Sequence, residues 1–275
     1  MKRLLIVFSG ALLAMQSPPP AKPPQMAVYR WAGQPANTDA FGTWIGNPEV
    51  WAEDFLPQAK WEAIEYPEWL TQPWSQWVKA RKGRRLILGV PMLVGPWDLT
   101  GPLDGHAAKK PVSHEAGARG DYNPYFKMLA EKLATAGLGR TIIRLGWEFN
   151  GGWYAWRSKG NEKAFIDYWI QIVKTMKAVP GAETLEFCWN PNHGTLDTPA
   201  PLSYPGDEVV DYIGLDLYDQ SWGKDTYPYP ADLSAEDLLD RQKRVWQSLY
   251  TSPHGLKFWR DFALDHKKPF CLPEW

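Results

Sequence analysis

The sequence predicts an α/β fold, specifically a (β/α)8 (TIM) barrel that is truncated before strand eight. From Met26 onward, short apolar runs alternate with amphipathic segments of helical periodicity. This alternation is typical of parallel sheets. No Gly-x-Gly-x-x-Gly turn follows a predicted strand, which disfavours a dinucleotide-binding sheet. A barrel, with its functional residues at the carboxyl ends of the strands, is the remaining common architecture.

The pattern predicts seven strands and at least six helices. The strands are expected at 27–32, 61–66, 84–93, 141–147, 185–189, 209–217 and 269–272. The helices are expected at 51–56, 69–79, 122–136, 164–179, 238–250 and 258–266. Because a barrel of this type closes only with an eighth strand, we expect the chain to be a fragment of a longer protein.

The first 25 residues predict export. Residues 1–17 read as a signal peptide, because a basic start is followed by an uncharged run over 4–15 that is too short to span a bilayer. An uncleaved anchor is the alternative. Residues 18–25 form a proline-rich linker, and 26–275 is the predicted catalytic domain. We therefore expect a secreted or periplasmic protein with no membrane segment in its mature form.

Composition excludes several classes of protein. The 30 basic and 31 acidic residues balance almost completely, which rules out the basic surface of a nucleic-acid-binding protein. The histidines lack metal-ligand spacing, so we expect neither a metal nor another cofactor.

Cys188 and Cys271 fall on the fifth and seventh strands, two interstrand spacings apart, and are predicted to be free thiols. The 17 Trp and 12 Tyr residues suit either a core or a sugar-stacking surface. We expect a monomer.

Two glutamates follow predicted strands that face each other across a barrel. Glu148 follows the fourth strand and Glu274 the seventh, each beside a tryptophan. Either alone could be a solvated carboxylate at a strand end. Two carboxyl groups that point into one mouth, however, are what the hydrolysis of a glycosidic bond requires.

The segment 144–156, RLGWEFNGGWYAW, resembles the acid/base segment of glycoside hydrolase family 26, whose members are retaining (β/α)8 enzymes. Residues 268–275 resemble the nucleophile strand of that family, and 211–218 extends the resemblance. The resemblance implies that Glu148 is the general acid/base and Glu274 the nucleophile. It also implies that Tyr218 holds the nucleophile and that Trp153 stacks beneath the sugar.

Further residues are candidates for substrate binding. They are Trp147, Asn150 and Trp156 in the acid/base segment, Asn190 and His193 after the fifth strand, and Trp222, which is either a stacking platform or a core residue. Arg144 shares strand parity with Glu148, so it should point inward and need a carboxylate partner. Asp216 is one candidate for that partner.

These observations predict a retaining endo-β-glycosidase that hydrolyses a β-1,4-mannan-type polysaccharide. Trp147 stands where many mannan-cleaving members of the family have histidine, which leaves exopolysaccharide, β-glucan or xylan open as substrates. A barrel that binds carbohydrate without cleaving it is the alternative from another class of protein.

Overall fold

A computed structural model describes residues 24–95, 112–218 and 229–275. Seven strands in this part of the chain form one parallel sheet, and neighbouring strands pair in chain order. The strands are β1 (Ala27–Tyr29), β2 (Trp51–Phe55), β3 (Leu86–Val90), β4 (Ile142–Leu145), β5 (Glu186–Trp189), β6 (Tyr212–Gly214) and β7 (Phe270–Cys271).

Helices connect the strands and cover one face of the sheet. They are α1 (Pro35–Trp44), α2 (Glu62–Glu65), α3 (Glu68–Ala80), α4 (His114–Ala118), α5 (Asn123–Ala136), α6 (Glu162–Lys177), α7 (Ala235–Thr251) and α8 (Leu256–Asp265). Their apolar stripes face the sheet: α6, for example, buries Phe165, Trp169 and Ile172. All four residues of β4 are buried, because helices cover its outer side and the other strands surround its inner side.

The predicted fold class is confirmed. The described strands are parallel, joined by helical connections and ordered as in a (β/α)8 barrel, and no eighth strand lies among the described residues. All strand carboxyl ends therefore lie at one edge of the sheet.

Two predictions of secondary structure were wrong. Residues 51–56, predicted as a helix, contain β2, and residues 61–66, predicted as a strand, contain α2. Glu53 and Asp54 hid the strand pattern because both charged side chains are buried, which only tertiary partners make possible. Trp61, just before α2, and Ile64, within it, are both buried. They are three residues apart, which is the spacing of one face of a helix. The two errors offset each other, so the expected number of strands was right.

Two helices were missed altogether. Helix α1 buries only Thr38 and Gly42, so it lacks the apolar stripe from which a helix is recognised. Helix α4 has five residues, too few for a periodic pattern.

Residues 1–23 lie outside the described residues, so the signal peptide of 1–17 remains a prediction, as does nearly all of the linker of 18–25. Across 24–95, 112–218 and 229–275, every helix is too short or too polar to cross a bilayer. Over the same ranges, no group of three or more His, Cys, Asp or Glu side chains is arranged to hold a metal ion.

The two cysteines are free thiols, as predicted. Their sulfur atoms nevertheless lie 3.8 Å apart, although β6 separates the two strands. The side chains meet across Gly214, where an added Cβ would lie 3.0 Å from the Cys188 sulfur. The spacing of strands alone does not reveal that Gly214, between the two cysteines, leaves room for their sulfur atoms to approach.

Gly89 of β3 provides space for an aromatic ring that reaches the interior of the sheet. Gly89 pairs with Phe55 of β2, and a Cβ at position 89 would lie 2.4 Å from the Phe55 ring. That ring packs edge-on against Trp147, with 5.3 Å between centroids. The absence of a side chain at position 89 therefore sets the position of Phe55.

We expect Gly89→Ala to lower the free energy of unfolding by about 1–3 kcal/mol, the usual cost of overpacking a core. Urea denaturation would measure it. Phe55→Leu, which replaces the ring with a smaller alkyl side chain, should relieve part of the clash, so the double variant should lose less than the sum of the two single losses. Strict additivity would contradict this account of the contact.

Candidate active site

Arg144, in the middle of β4, connects four other parts of the sheet. Its side chain is fully buried. The guanidinium donates to Glu53 Oε1 at 3.0 Å and Glu274 Oε1 at 2.7 Å, and also to Asp216 and Asn190. Glu53 lies in β2, and the other three partners follow β5, β6 and β7. The predicted pairing of Arg144 with Asp216 is confirmed.

Two neighbouring aromatic rings pack on one side of this guanidinium. Its carbon lies 5.3 Å from the Phe55 centroid and 5.7 Å from the Trp147 centroid. Burial alone would lower the pKa of Arg144, but Asp216, Glu53 and Glu274 raise it well above the ordinary value. The residue is therefore a permanent positive charge.

Glu53 is the functional candidate that the sequence analysis missed. Burial raises the pKa of Glu53 to about 7, against the lowering effect of Arg144. Burial likewise raises the pKa of Asp216 well above its usual range, again opposed by Arg144. Ala52, Glu53 and Asp54 are all buried, so β2 has no alternation of buried and exposed residues that could have singled out Glu53, and the prediction of a helix over 51–56 obscured the strand itself.

Glu148 lies three residues beyond the end of β4, with its backbone in the left-handed region at φ 52°. That conformation is uncommon for a non-glycine residue, and strained residues of this kind cluster at functional sites. The Glu148 N–H donates to the Asn190 carbonyl at 2.8 Å. Its carboxyl group accepts from Trp153 Nε1 at 2.8 Å and from the Asn192 amide, and only 8% of the residue is exposed. Burial, and then the negative charge of Glu274, raise the pKa of Glu148.

The two glycines that follow Glu148 allow Trp153 to fold back against the loop. An added Cβ at Gly151 would lie 2.3 Å from the Trp153 ring, and one at Gly152 would lie 2.6 Å from the Asp197 carboxylate. Small residues at both positions therefore place the half-buried indole beside the Glu148 carboxyl group.

Glu274 is held on three sides. Arg144 donates to one carboxylate oxygen, the Tyr218 hydroxyl donates to the other, and the Glu274 N–H donates to Asp216 Oδ1 at 3.1 Å. Burial and the bond to Glu274 raise the pKa of Tyr218 above its ordinary value, so Tyr218 keeps its proton and remains a donor. The structure thus brings Glu148, Trp153, Tyr218 and Glu274 together.

Three of the predicted substrate-binding residues are fully buried, and the prediction was wrong for them. The Asn150 side chain accepts from the Asn192 N–H at 2.8 Å and donates to its carbonyl at 2.9 Å, which positions the loop that reaches Glu148. Trp156 Nε1 donates to the Trp147 carbonyl at 2.7 Å. Asn190 accepts from Arg144. All three support the site from behind.

Trp147 and His193 also differ from expectation. Trp147 is buried, packs on Trp156 and donates to the Tyr154 hydroxyl at 2.9 Å, so its ring is not an open stacking platform. His193 Nε2 lies 3.0 Å from Ser252 Oγ and 3.3 Å from the Leu249 carbonyl, which directs the ring to the end of α7. Trp222 lies outside the described residues.

A parallel sheet ordered as in a (β/α)8 barrel, with two glutamates at the carboxyl ends of β4 and β7, has the architecture of a barrel glycoside hydrolase. The family model for glycosyl hydrolase family 26 matches residues 121–232, which confirms the resemblance to that family. The matched segment includes Glu148, Trp153 and Tyr218 and ends before Glu274. No curated protein matches the sequence.

Solved structures share the fold. A GH26 β-mannanase from Bacteroides ovatus is 14% identical, with a TM-score of 0.51 over 81% of this chain and 60% of that one. A β-mannanase from a symbiotic protist of the termite Reticulitermes speratus, complexed with gluco-manno-oligosaccharide, is 15% identical, with a TM-score of 0.50 over 91% and 79%. The YdhT protein from Bacillus subtilis is 15% identical, with a TM-score of 0.50 over 90% and 78%. The chain thus spans less than two thirds of the length of the Bacteroides ovatus enzyme.

We expect Glu53→Gln to flatten the dependence of stability on pH between about 4.5 and 7. Glu53 binds its proton more tightly in the folded protein, where its pKa is about 7, than in the unfolded chain, where the ordinary value of 4.5 applies. The folded state holds more protons in that window, so the free energy of unfolding of the wild type decreases as pH rises through it.

Urea denaturation at half-unit steps of pH measures this slope. Glu49→Gln, an exposed glutamate two residues before β2, is the matched control and should follow the wild type. Parallel curves for the wild type and Glu53→Gln would contradict the assignment of the raised pKa to Glu53.

Proposed function

We propose that the protein is a retaining glycoside hydrolase that cleaves a β-linked polysaccharide of the mannan type. The observation that carries the proposal is the different environment of two neighbouring glutamates. The Glu148 carboxyl group is buried and accepts hydrogen bonds from neutral donors, an indole and an amide. The Glu274 carboxylate accepts from a guanidinium and a phenol. Glycosidases with two carboxyl groups need one that keeps a proton and one that attacks as a carboxylate.

In the first step, the Glu148 carboxyl group gives its proton to the glycosidic oxygen while the bond from that oxygen to the anomeric carbon breaks. A carboxylate oxygen of Glu274 forms a bond to the same carbon from the opposite face. The raised pKa of Glu148 supports the role of acid, because it extends the range of pH in which the proton is present.

In the second step, water attacks the anomeric carbon, Glu148 accepts the proton of that water, and the bond to Glu274 breaks. Arg144 and Tyr218 both remain donors to Glu274. They can hold the departing carboxylate and receive the charge that returns to it. Trp153, beside Glu148, is proposed to stack beneath the sugar at the point of cleavage.

The β-linked mannan substrate rests on the resemblance to family 26 and on relatives that are described as β-mannanases. The buried indole of Trp147 precedes Glu148 and packs on Tyr154 and Trp156, so the neighbouring wall of the site is apolar. An enzyme would encounter a polysaccharide of this kind outside the cytoplasm. The uncharged run over 4–15 supports a secreted or periplasmic location.

We expect Glu274→Gln to abolish the hydrolysis of every substrate, because an amide cannot form the covalent intermediate. Glu148→Gln should abolish the cleavage of β-mannan but still release the phenol of an activated aryl β-mannoside in a burst, since a good leaving group needs little protonation. The measurements are reducing-sugar release and stopped-flow absorbance of the phenol.

Glu208→Gln, an exposed glutamate before β6, is the control and should have wild-type rates. Substantial turnover by Glu274→Gln would show that this residue is not the nucleophile. Parallel digests of xylan and mixed-linkage glucan decide the substrate class.

We expect the first product to have the same anomeric configuration as the substrate, because two successive displacements restore it. Proton NMR in the first minutes of hydrolysis separates the two anomers before they interconvert. Initial formation of the opposite anomer would mean that water attacks directly and that Glu274 is a general base.

A further inference from the structure

Trp31 lies just beyond β1 and combines two unfavourable features. Its indole is 69% exposed, and its backbone has φ 72°. A bulky side chain in the left-handed region is an outlier, and an exposed aromatic residue contributes little to a core. Strain of this kind persists only when the surrounding structure imposes it.

The surroundings of Trp31 do impose it. One oxygen of the buried Asp54 carboxylate, Oδ2, accepts both the Gly33 N–H at 2.8 Å and the Trp74 Nε1–H at 2.6 Å. The Asn37 side chain, at the start of α1, donates to the Arg30 carbonyl at 3.2 Å. The turn over 31–33 is therefore anchored on both sides of Trp31 by residues of β2, α3 and α1.

This turn lies at the edge of the sheet that carries the site. All described strands are parallel, so the residues after β1 are at the same edge as Glu148 after β4 and Glu274 after β7. Aromatic rings connect the two places. Trp147 packs on Phe55 at 5.3 Å, and Phe55 packs on Tyr29, the last residue of β1, at 5.5 Å between centroids.

We propose that Trp31 is a binding platform for the polysaccharide, on the β1 side of the mouth and away from the bond that is cleaved. The occupant is a sugar unit of the same β-linked chain, stacked on the indole face. An aromatic ring suits the apolar C–H face of a sugar, and its N–H is left to bind a hydroxyl. A rigid turn holds the ring in place before binding, so little conformational entropy is lost. This inference rests on the proposed function, because it extends the same cleft.

Two variants test the platform. In Trp31→Gly the ring is removed and the backbone strain is relieved, because glycine adopts φ 72° readily. Trp44→Ala is the matched control: Trp44 is 79% exposed and lies at the last turn of α1, at the opposite end of the sheet. We expect Trp31→Gly to raise KM for soluble β-mannan roughly tenfold, the scale of one lost aromatic stacking contact.

With an aryl β-mannoside, which reaches only the cleavage point, Trp31→Gly should match the wild type in kcat/KM. Its melting temperature should not fall. Trp44→Ala should leave both substrates unaffected. An unchanged KM for the polymer, or an equal loss with both substrates, would overturn the proposal, since a structural residue would affect both.

Failure of the proposed function is recognised separately. If the wild type cleaves neither substrate, electrophoretic retardation in native gels that contain β-mannan measures binding alone. A retardation that Trp31→Gly abolishes and Trp44→Ala preserves would support the platform without catalysis. No retardation of the wild type, or equal retardation of the wild type and Trp31→Gly, would overturn it.

Discussion

The buried guanidinium of Arg144 is the interaction on which the rest of the site depends. A buried charge is tolerated only with partners that replace its water. Here those partners come from β2 and from the residues after β5, β6 and β7. The sheet must therefore curl far enough for five of its strands to meet at one side chain. This requirement places Glu274 and fixes where Asn190 can hold the backbone of Glu148.

The same network explains how two glutamates acquire different environments. Four carboxyl groups, those of Glu53, Glu148, Asp216 and Glu274, lie in a region with one arginine at its centre. Glu274 is bonded to that arginine, whereas the donors to Glu148 among the described residues are the indole of Trp153 and the Asn192 amide. Burial, and then the negative charge of Glu274, raise the pKa of Glu148. Position relative to Arg144, not residue type, distinguishes the two.

Five described non-glycine residues have a left-handed backbone, and two of them lie at the mouth of the sheet. Glu148 and Trp31 both have left-handed backbone conformations, and both follow the carboxyl end of a strand. Each is anchored to a residue distant in sequence: the Glu148 N–H donates to the Asn190 carbonyl, and the Gly33 N–H, two residues after Trp31, donates to the Asp54 carboxylate. Strained positions that a rigid scaffold maintains are a common property of binding and catalytic sites.

The sequence by itself determined the alternation of strands and helices, the parallel sheet and the position of Glu148 and Glu274 at strand ends. These depend on local periodicity and on chain order. It also indicated the Arg144–Asp216 pair through strand parity. Only the tertiary structure decided that Trp51–Phe55 is a strand, because Glu53 and Asp54 are charged residues whose burial depends on distant partners.

The tertiary structure also decided that Asn150, Trp156 and Asn190 lie behind the site and do not face the cleft. Side-chain type indicates what a residue can bind. Whether its atoms reach solvent, however, depends on the packing of loops that are far apart in sequence.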